Sequence, residues 1–503
     1  MKSRTIALAA AAAALGLGAD QAAASYKASV QAGTLKVTGD NAADKLVLSL
    51  RPAAPTILEL DVGADGTADF AFDRLGFAAI DVAASGGDDE VRVDQRFGAF
   101  FDEALTVDGG AGADMLLGGS GMDTLRGGSG NDVVTGGDGN DRALLGSGND
   151  RTVWNPGDDN DAIDGESGSD SLEFNGSGAP ERVEVSANGP RVRFTRDVAN
   201  VVTDLDGVER VAFRAAGSSD MVGVHPLAGT DLETVDIDLQ TDGQPDNVVV
   251  IGSADDDRIA AGGDGAAVVV DGIGAETRIS GAEAQDAITL RGQAGADVIA
   301  SGPGVPGPAT VRAEGDGGAD TAIYDGTNGP ETFEVVAITG EAVAHSAAAA
   351  PFAVMTTVES FALRGNGGAD TIAGLGNLAG VTPLTMDGGS GDDVLRGGNG
   401  GDLLVGGSGD DVADGNQGQD TARLGSGNDQ YWWDPGDSST VVDGEGGSDA
   451  FESNGSNAGE TVAFSAVGPS ARRPASRATS AASWSTSTTS SGWATARMAA
   501  RTP

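Results

Sequence analysis

GGSGMDTLR (Gly118–Arg126) runs without a gap into GGSGNDVVT (Gly127–Thr135), and this pair decides how the rest of the chain is read. The same nine-residue phrase, GGxGxD followed by three residues with an apolar one in the middle, places aspartates at Asp114, Asp123, Asp132, Asp141 and Asp150. It returns at Asp393, Asp402, Asp411, Asp420 and Asp429. Glycines permit positive φ and close backbone approach, so six residues can turn sharply and aim several carbonyl oxygens into one hollow. The aspartate adds a charged oxygen to that hollow. The last three residues make a minimal strand whose middle side chain faces inward. In the first array these are Leu116, Leu125, Val134, Ala143 and Thr152; in the second, Leu395, Leu404, Ala413, Ala422 and Tyr431. A disordered Gly/Asp linker has no reason to keep ten aspartates in phase with apolar residues.

Calcium is the cation this donor set suits. It accepts about 6–8 hard oxygen ligands and tolerates irregular geometry, whereas magnesium demands a near-perfect octahedron. Zinc would want histidine or cysteine. The chain has only His225, His345 and no cysteine. Several calcium ions are therefore the expected cofactor, with the ten aspartates as the expected metal residues.

The phrase resembles the RTX, or haemolysin-type, calcium-binding repeat, GGxGxDxUx with U a large apolar residue. The resemblance implies a parallel β-roll in which two nonapeptides make one turn. Calcium would lie between loops on one edge, held by aspartates and carbonyls of successive turns. Carried onto this sequence, it pairs Asp114 with Asp132, Asp123 with Asp141, and Asp132 with Asp150. In the second array it pairs Asp393 with Asp411, Asp402 with Asp420, and Asp411 with Asp429. Leu145 and Leu424 replace the first glycine of each fifth repeat, and Thr152 replaces an apolar residue, so the last site of each roll departs from the pattern.

Composition agrees with a thin repeating body. Among 503 residues there are 81 glycines and 4% aromatics, too little bulk for one large core. The formal charge of −46 argues against nucleic acid or an anionic membrane as partner and favours cations. Without cysteine no disulfide can hold the repeats, which leaves bound metal to do so. Residues 1–24 read as a Sec signal peptide: Lys2 and Arg4, an uncharged run from Thr5 to Ala19, then Ala22-Ala23-Ala24 before the expected cleavage. No later run reaches the ~18 apolar residues of a membrane-spanning helix. A secreted, extracellular location is expected.

Six segments follow from this reading. After the leader comes a short-strand β region (25–107), then the first array with a capping tail around Trp154 and Phe174 (108–177). A β-rich, solenoid-like region (178–386) holds isolated matches such as GQAGADVIA, GDGGADTAI and GNGGADTIA. The second array with its tail occupies 387–456, and 457–503 is a remnant strand and tail. The arrays are a duplication at a constant offset of 279: Trp154 returns as Trp433, and Asn175-Gly-Ser177 as Asn454-Gly-Ser456. That register breaks near Val467, as a frameshift would break it. The Ser/Thr/Arg-rich sequence beyond is expected to be disordered.

The fold expected is all-β, with parallel β-roll arrays embedded in a β-solenoid-like chain of short strands. Asp61 to Asp69 has part of an EF-hand spacing, but Phe72 falls where the bidentate glutamate belongs, so a β-turn is expected there. No HExxH or GxSxG motif is present, and each histidine stands alone as an expected surface loop residue. The function expected is a secreted, structural or adhesive calcium-binding protein without catalysis, and the alternative is a polysaccharide-acting β-solenoid enzyme. Besides calcium, the candidate partner is a polysaccharide of a cell surface or matrix.

Overall fold

In each nonapeptide the residues after the aspartate form a strand, and successive strands fall on opposite faces of a flattened coil. Met115–Leu117 and Val133–Thr135 pair in parallel on one face, with Leu116 opposite Val134. Thr124–Ser129 and Arg142–Gly148 pair on the other, with Leu125 opposite Ala143. One full turn thus takes eighteen residues, as the offset of Asp114 from Asp132 requires. All ten residues expected to face inward are buried. The second array repeats the arrangement, with Leu395 opposite Ala413 and Leu404 opposite Ala422.

The computed structural model describes residues 26–99, 103–307, 309–346, 349–355, 357–438, 440–454, 484–488 and 493–499. Across these the coil does not stop at the ends of the arrays. Its turns lengthen and shorten while parallel pairing continues. On one face Thr34–Thr38, Ala79–Gly86 and Ala104–Ala111 lead into the first array. Between the arrays Asn247–Ile251, Ala287–Arg291 and Thr310–Glu314 stack on that face, and Val298–Ser301, Thr321–Asp325 and Ser360–Arg364 on the other. Ser360–Arg364 then pairs with Leu384–Ser390, and Thr371–Leu375 with Val394–Arg396, which joins the second array. The molecule is all-β, one long and mostly parallel solenoid; among the described residues a continuous core lies between its faces, and Ala300, Ile323 and Ala362 form a small separate cluster.

Where the chain reverses, a hairpin turn is the cause. Asn188 pairs with Arg191 across Gly189-Pro190, and Ile338 with Glu341 across Thr339-Gly340. Gly189, Thr339 and Gly340 are left-handed (φ +67°, +49° and +91°); positive φ in a two-residue turn matches the twist of antiparallel strands. Each reversal is followed by a second, so Arg182–Asn188, Arg191–Arg196 and Val201–Asp206 form an antiparallel meander within an otherwise parallel face. Arg258–Gly263, Val268–Asp271 and Glu276–Ser280 form another on the opposite face. The β-rich composition of 178–386 predicts these strands but not their direction.

At the N-terminal end, Lys27–Gln31 lies antiparallel on Thr34–Thr38, while Ala54–Val62 and Phe70–Asp73 lie antiparallel beyond Lys45–Arg51. The Asp61 stretch is the loop of that hairpin. The Asp61 carboxylate accepts the Asp65 and Gly66 N–H groups at 3.2 and 2.8 Å, so its oxygens close a turn.

Trp154 was expected to close an open end, yet the stack continues past it through Ser171–Asn175 and Arg210–Arg214. Its ring is stacked 3.9 Å from that of Phe174 and nearly parallel to it (4°), and Phe174 in turn meets Phe194 at 4.2 Å. The Arg196 guanidinium lies 5.2 Å over the indole, and the indole N–H donates to Asp159 O at 3.0 Å. The cluster is an internal plug where the eighteen-residue turn opens into wider ones. Trp154→Ala is expected to lower stability by ~3–5 kcal/mol, the usual loss for a buried aromatic. Trp433→Ala should cost clearly less, since Trp433 is half-buried. Thermal unfolding of the two variants at saturating calcium checks the difference.

Beyond the second array, Trp493–Ala499 lies antiparallel on Gly446–Asn454, and Trp484–Thr488 on Trp493–Ala499. Two strands thus occur in a tail expected to lack order. The leader and the Val467 register break lie outside the described residues.

Candidate metal centre

Each aspartate of the arrays ends its glycine loop and opens the next strand, so identical positions on successive turns stack along an edge. The backbone then locks them together. Asp114 N–H donates to Asp132 Oδ1 at 2.8 Å, Asp132 N–H to Asp150 Oδ1 at 2.7 Å, and Asp123 N–H to Asp141 Oδ1 at 2.8 Å. In the second array Asp393 donates to Asp411, Asp402 to Asp420 and Asp411 to Asp429, each at 2.9 Å. The six pairs implied by the eighteen-residue offset are the pairs brought together.

One carboxylate oxygen of each rung is thereby used, and the other is not. Oδ2 of Asp114, Asp132, Asp141, Asp150, Asp393, Asp411, Asp420 and Asp429 is buried and has no hydrogen-bond partner. Asp123 and Asp402 differ. Their Oδ2 atoms accept the N–H of Gly119 (2.9 Å) and Gly398 (2.7 Å), four residues upstream in their own loops. Each begins its ladder on that edge, and neither Gly119 nor Gly398 has the left-handed φ of the second glycine in the other full repeats. Two of the ten expected site residues are therefore already satisfied by protein.

The unused oxygens pack against the first glycine of their own loop, beside a carbonyl of the following turn. A Cβ on Gly127 would lie 2.4 Å from both Asp132 Oδ2 and Leu145 O, and one on Gly109 would lie 2.3 Å from Asp114 Oδ2 and 2.8 Å from Gly127 O. The fifth repeats, despite Leu145 and Leu424, keep the same form. A leucine still supplies its carbonyl, and its side chain is buried in the core. The fourth position is equally constrained: Gly130 has φ +135°, and a Cβ there would meet Gly112 O at 1.8 Å. Gly130→Ala is expected to cost at least ~1–3 kcal/mol through overpacking against backbone that cannot yield. Chemical denaturation at saturating calcium measures it.

Burial without a counter-charge raises the pH at which these carboxylates lose their protons. Desolvation raises Asp141 to about 8 and Asp411 to about 7, with neighbouring carboxylates adding to the effect. Asp123, Asp132, Asp420 and Asp429 are raised to about 6 for the same first cause. Asp114, Asp150, Asp393 and Asp402 are also raised by burial. No group of three or more histidine, aspartate or glutamate side chains converges among the described residues. A metal here must take most of its ligands from backbone carbonyls. Calcium does so readily, and zinc does not.

A family model for the RTX calcium-binding nonapeptide repeat matches the chain in four copies, over residues 106–121, 117–151, 385–413 and 396–431. Both arrays are RTX repeats. The protein is accordingly a calcium-binding repeat protein, although no curated protein matches the chain.

The ladder also extends past the RTX repeats. Asp44 N–H donates to Asp89 Oδ1 and Asp89 N–H to Asp114 Oδ1, both at 2.8 Å. Asp150 donates to Asp170, Asp370 to Asp393 and Asp429 to Asp449. Asp89, Asp170 and Asp370 carry the same orphaned Oδ2. Sequence reasoning found the Asp370 loop as the isolated match GNGGADTIA but missed the rungs at Asp89 and Asp170; in all three the second glycine is replaced, and Ser85, Glu166 and Asn366 adopt the left-handed conformation in its place (φ +89°, +63° and +68°). The signal that remains is a glycine two residues before the aspartate. Neither histidine joins the ladder. His225 Nε2 lies 2.8 Å from Glu184 Oε2, and His345 is exposed on the strand Glu341–Ser346, not in a loop.

Proposed function

We propose that the protein is an exported structural or adhesive element whose RTX sections are stiffened by calcium held along the aspartate ladder. The row of buried, partnerless Oδ2 atoms carries this reading, because water-excluded oxygens in register with carbonyls are what a hard divalent cation satisfies. Proteins with RTX repeats are typically secreted, and the leader-like residues 1–24 fit export through the Sec route. Extracellular modules bind calcium with dissociation constants of about 10⁻⁴–10⁻³ M, so the sites fill only where free calcium is high. Roughly two dozen strands at about 4.8 Å spacing make a body on the order of 110 Å long, a form suited to spacing or bridging.

Calorimetric titration of the full-length protein tests the metal reading. Cooperative uptake of several ions is expected, with Asp132→Asn and Asp411→Asn each raising the calcium midpoint about three- to tenfold, equivalent to ~0.7–1.4 kcal/mol. No heat up to millimolar calcium would refute it. The structural role is tested on a panel of polysaccharides. Calcium-dependent retention without new reducing ends or unsaturated sugars is expected; turnover of any member would replace this role with an enzymatic one.

A further inference from the structure

Midway between the arrays, two loops repeat the ladder's construction where the RTX family model does not match. Gly292 to Asp297 reads GQAGAD and Gly315 to Asp320 reads GDGGAD. Asp257 N–H donates to Asp297 Oδ1 at 2.8 Å, Asp297 N–H to Asp320 Oδ1 at 2.9 Å, and Asp320 N–H to Glu359 Oε2 at 2.7 Å. Among the described residues this run of rungs begins at Asp257 and ends at Glu359, with no rung hydrogen-bonded to an array aspartate.

The side chains carry the case. Asp297 and Asp320 are each 1% exposed, and the Oδ2 of each is buried with no partner. Neither forms an ion pair among the described residues. The nearby Arg291 gives its guanidinium to Glu314 (2.6 Å) and Asp316 (3.7 Å). Both orphaned oxygens pack against the first glycine of their loop. A Cβ at Gly292 would lie 2.2 Å from Asp297 Oδ2, and one at Gly315 would lie 2.2 Å from Asp320 Oδ2 and 2.6 Å from Thr357 O. The Gly315 position repeats the carboxylate-and-carbonyl pairing at Gly109 and Gly127, while at Gly292 the nearest atoms all belong to Asp297. The loops are also clamped together: Ala294 and Gly295 pair in parallel with Gly317 and Gly318, and Gly317 N–H donates to Gln293 O at 2.7 Å. Gln293 and Asp316 hold left-handed backbone (φ +78° and +64°) where the RTX repeats mostly use glycine.

We propose that the loops Gly292 to Asp297 and Gly315 to Asp320 hold a calcium ion of their own, separate from the RTX arrays. The donors are hard oxygens only, two carboxylates and backbone carbonyls, which selects calcium over softer metals. The proposal rests on the reading of the ladder as a calcium site and extends it to two isolated, irregular copies of the phrase between the arrays, outside the matched repeats. Its consequence is a metal clamp on the long turns between the arrays, where eighteen-residue regularity is absent.

Hydrogen–deuterium exchange on the full-length protein tests it, with wild type compared to Asp297→Asn/Asp320→Asn in saturating calcium and after chelation. Asparagine keeps the Oδ1 acceptors, so the backbone ladder survives while the charge is removed. In calcium, peptides within 287–325 of the variant should exchange at least tenfold faster than in wild type, while 106–151 and 385–431 stay protected. Bound calcium, counted by equilibrium dialysis, should fall by one ion per chain. In chelator the order should reverse, because the variant no longer buries uncompensated charge; a merely structural role for these aspartates gives no such crossover. Equal ion counts and unchanged protection at 287–325 would overturn the proposal. Array peptides that ignore chelation in wild type would instead sink the broader calcium reading.

Discussion

Removal of calcium from the full-length protein is expected to unfold both arrays, with loss of most β-signal from residues 106–151 and 385–431. Eight array aspartates each leave a buried oxygen without a partner. A buried unsatisfied polar group costs ~1–3 kcal/mol, and more when charged, so eight of them cost on the order of 8–24 kcal/mol. A whole domain is stable by only ~5–15 kcal/mol. On the other side stand small inward side chains: Ala143, Ala413 and Ala422 occupy positions where Leu116, Leu125, Leu395 and Leu404 each contribute at most ~1.5–3 kcal/mol. Counting Val134, Leu145, Leu424 and Tyr431 with those leucines, burial and the polar cost are of about the same size, which leaves the chain entropy of ordering the arrays without an offset until metal binds. Because a single site at tenfold excess ligand gains only ~1.4 kcal/mol, several must fill together, and the transition should be steep in calcium. Exchange and circular dichroism across a calcium titration measure it. Full protection of both arrays in chelator would mean that the core alone suffices.

The parts of this architecture that a nine-residue phrase encodes by itself are legible in the sequence. Leu116, Leu125 and Val134 could be placed inward, and Asp114 set beside Asp132, because glycine spacing fixes the turn and the turn fixes the period. What lay outside that reach depended on residues whose conformation is imposed by neighbours. Nothing in Glu166, Gln293 or Asn366 announces a left-handed backbone (φ +63°, +78° and +68°), yet each is held so by the turn stacked on it. The satisfied state of Asp123 and Asp402 was equally hidden, since it depends on where each ladder begins. Strands near Val268 and Phe333 were visible as β-branched and aromatic runs. Their antiparallel direction was not, because it turns on short loops such as Thr339-Gly340 and on which edge of the solenoid was free.

In the calcium-free protein, acid should restore what chelation removes. The array carboxylates are raised by burial above their ordinary value, Asp141 to about 8, Asp411 to about 7, and Asp132, Asp420 and Asp429 to about 6. The folded metal-free state therefore binds more protons than the unfolded chain, and its stability falls as pH rises. The contribution is fully present below the unfolded value near 3.8 and is lost as pH climbs through about 6 to 8. A proton neutralises the rung and turns the orphaned oxygen into a donor, so it stands in for part of what calcium supplies. With calcium stripped on a chelating resin, β-structure is expected to be substantial at pH 5 and largely lost at pH 8.5, with Asp141→Asn shifting the transition upward. Calcium binding should run the other way, strengthening over the same window because each ion displaces protons from the rungs it occupies. Dichroism of the metal-free protein that stays flat between pH 5 and 8.5 would show that charge on the ladder is not what opposes folding, and the case for calcium as its counter-ion would fall with it.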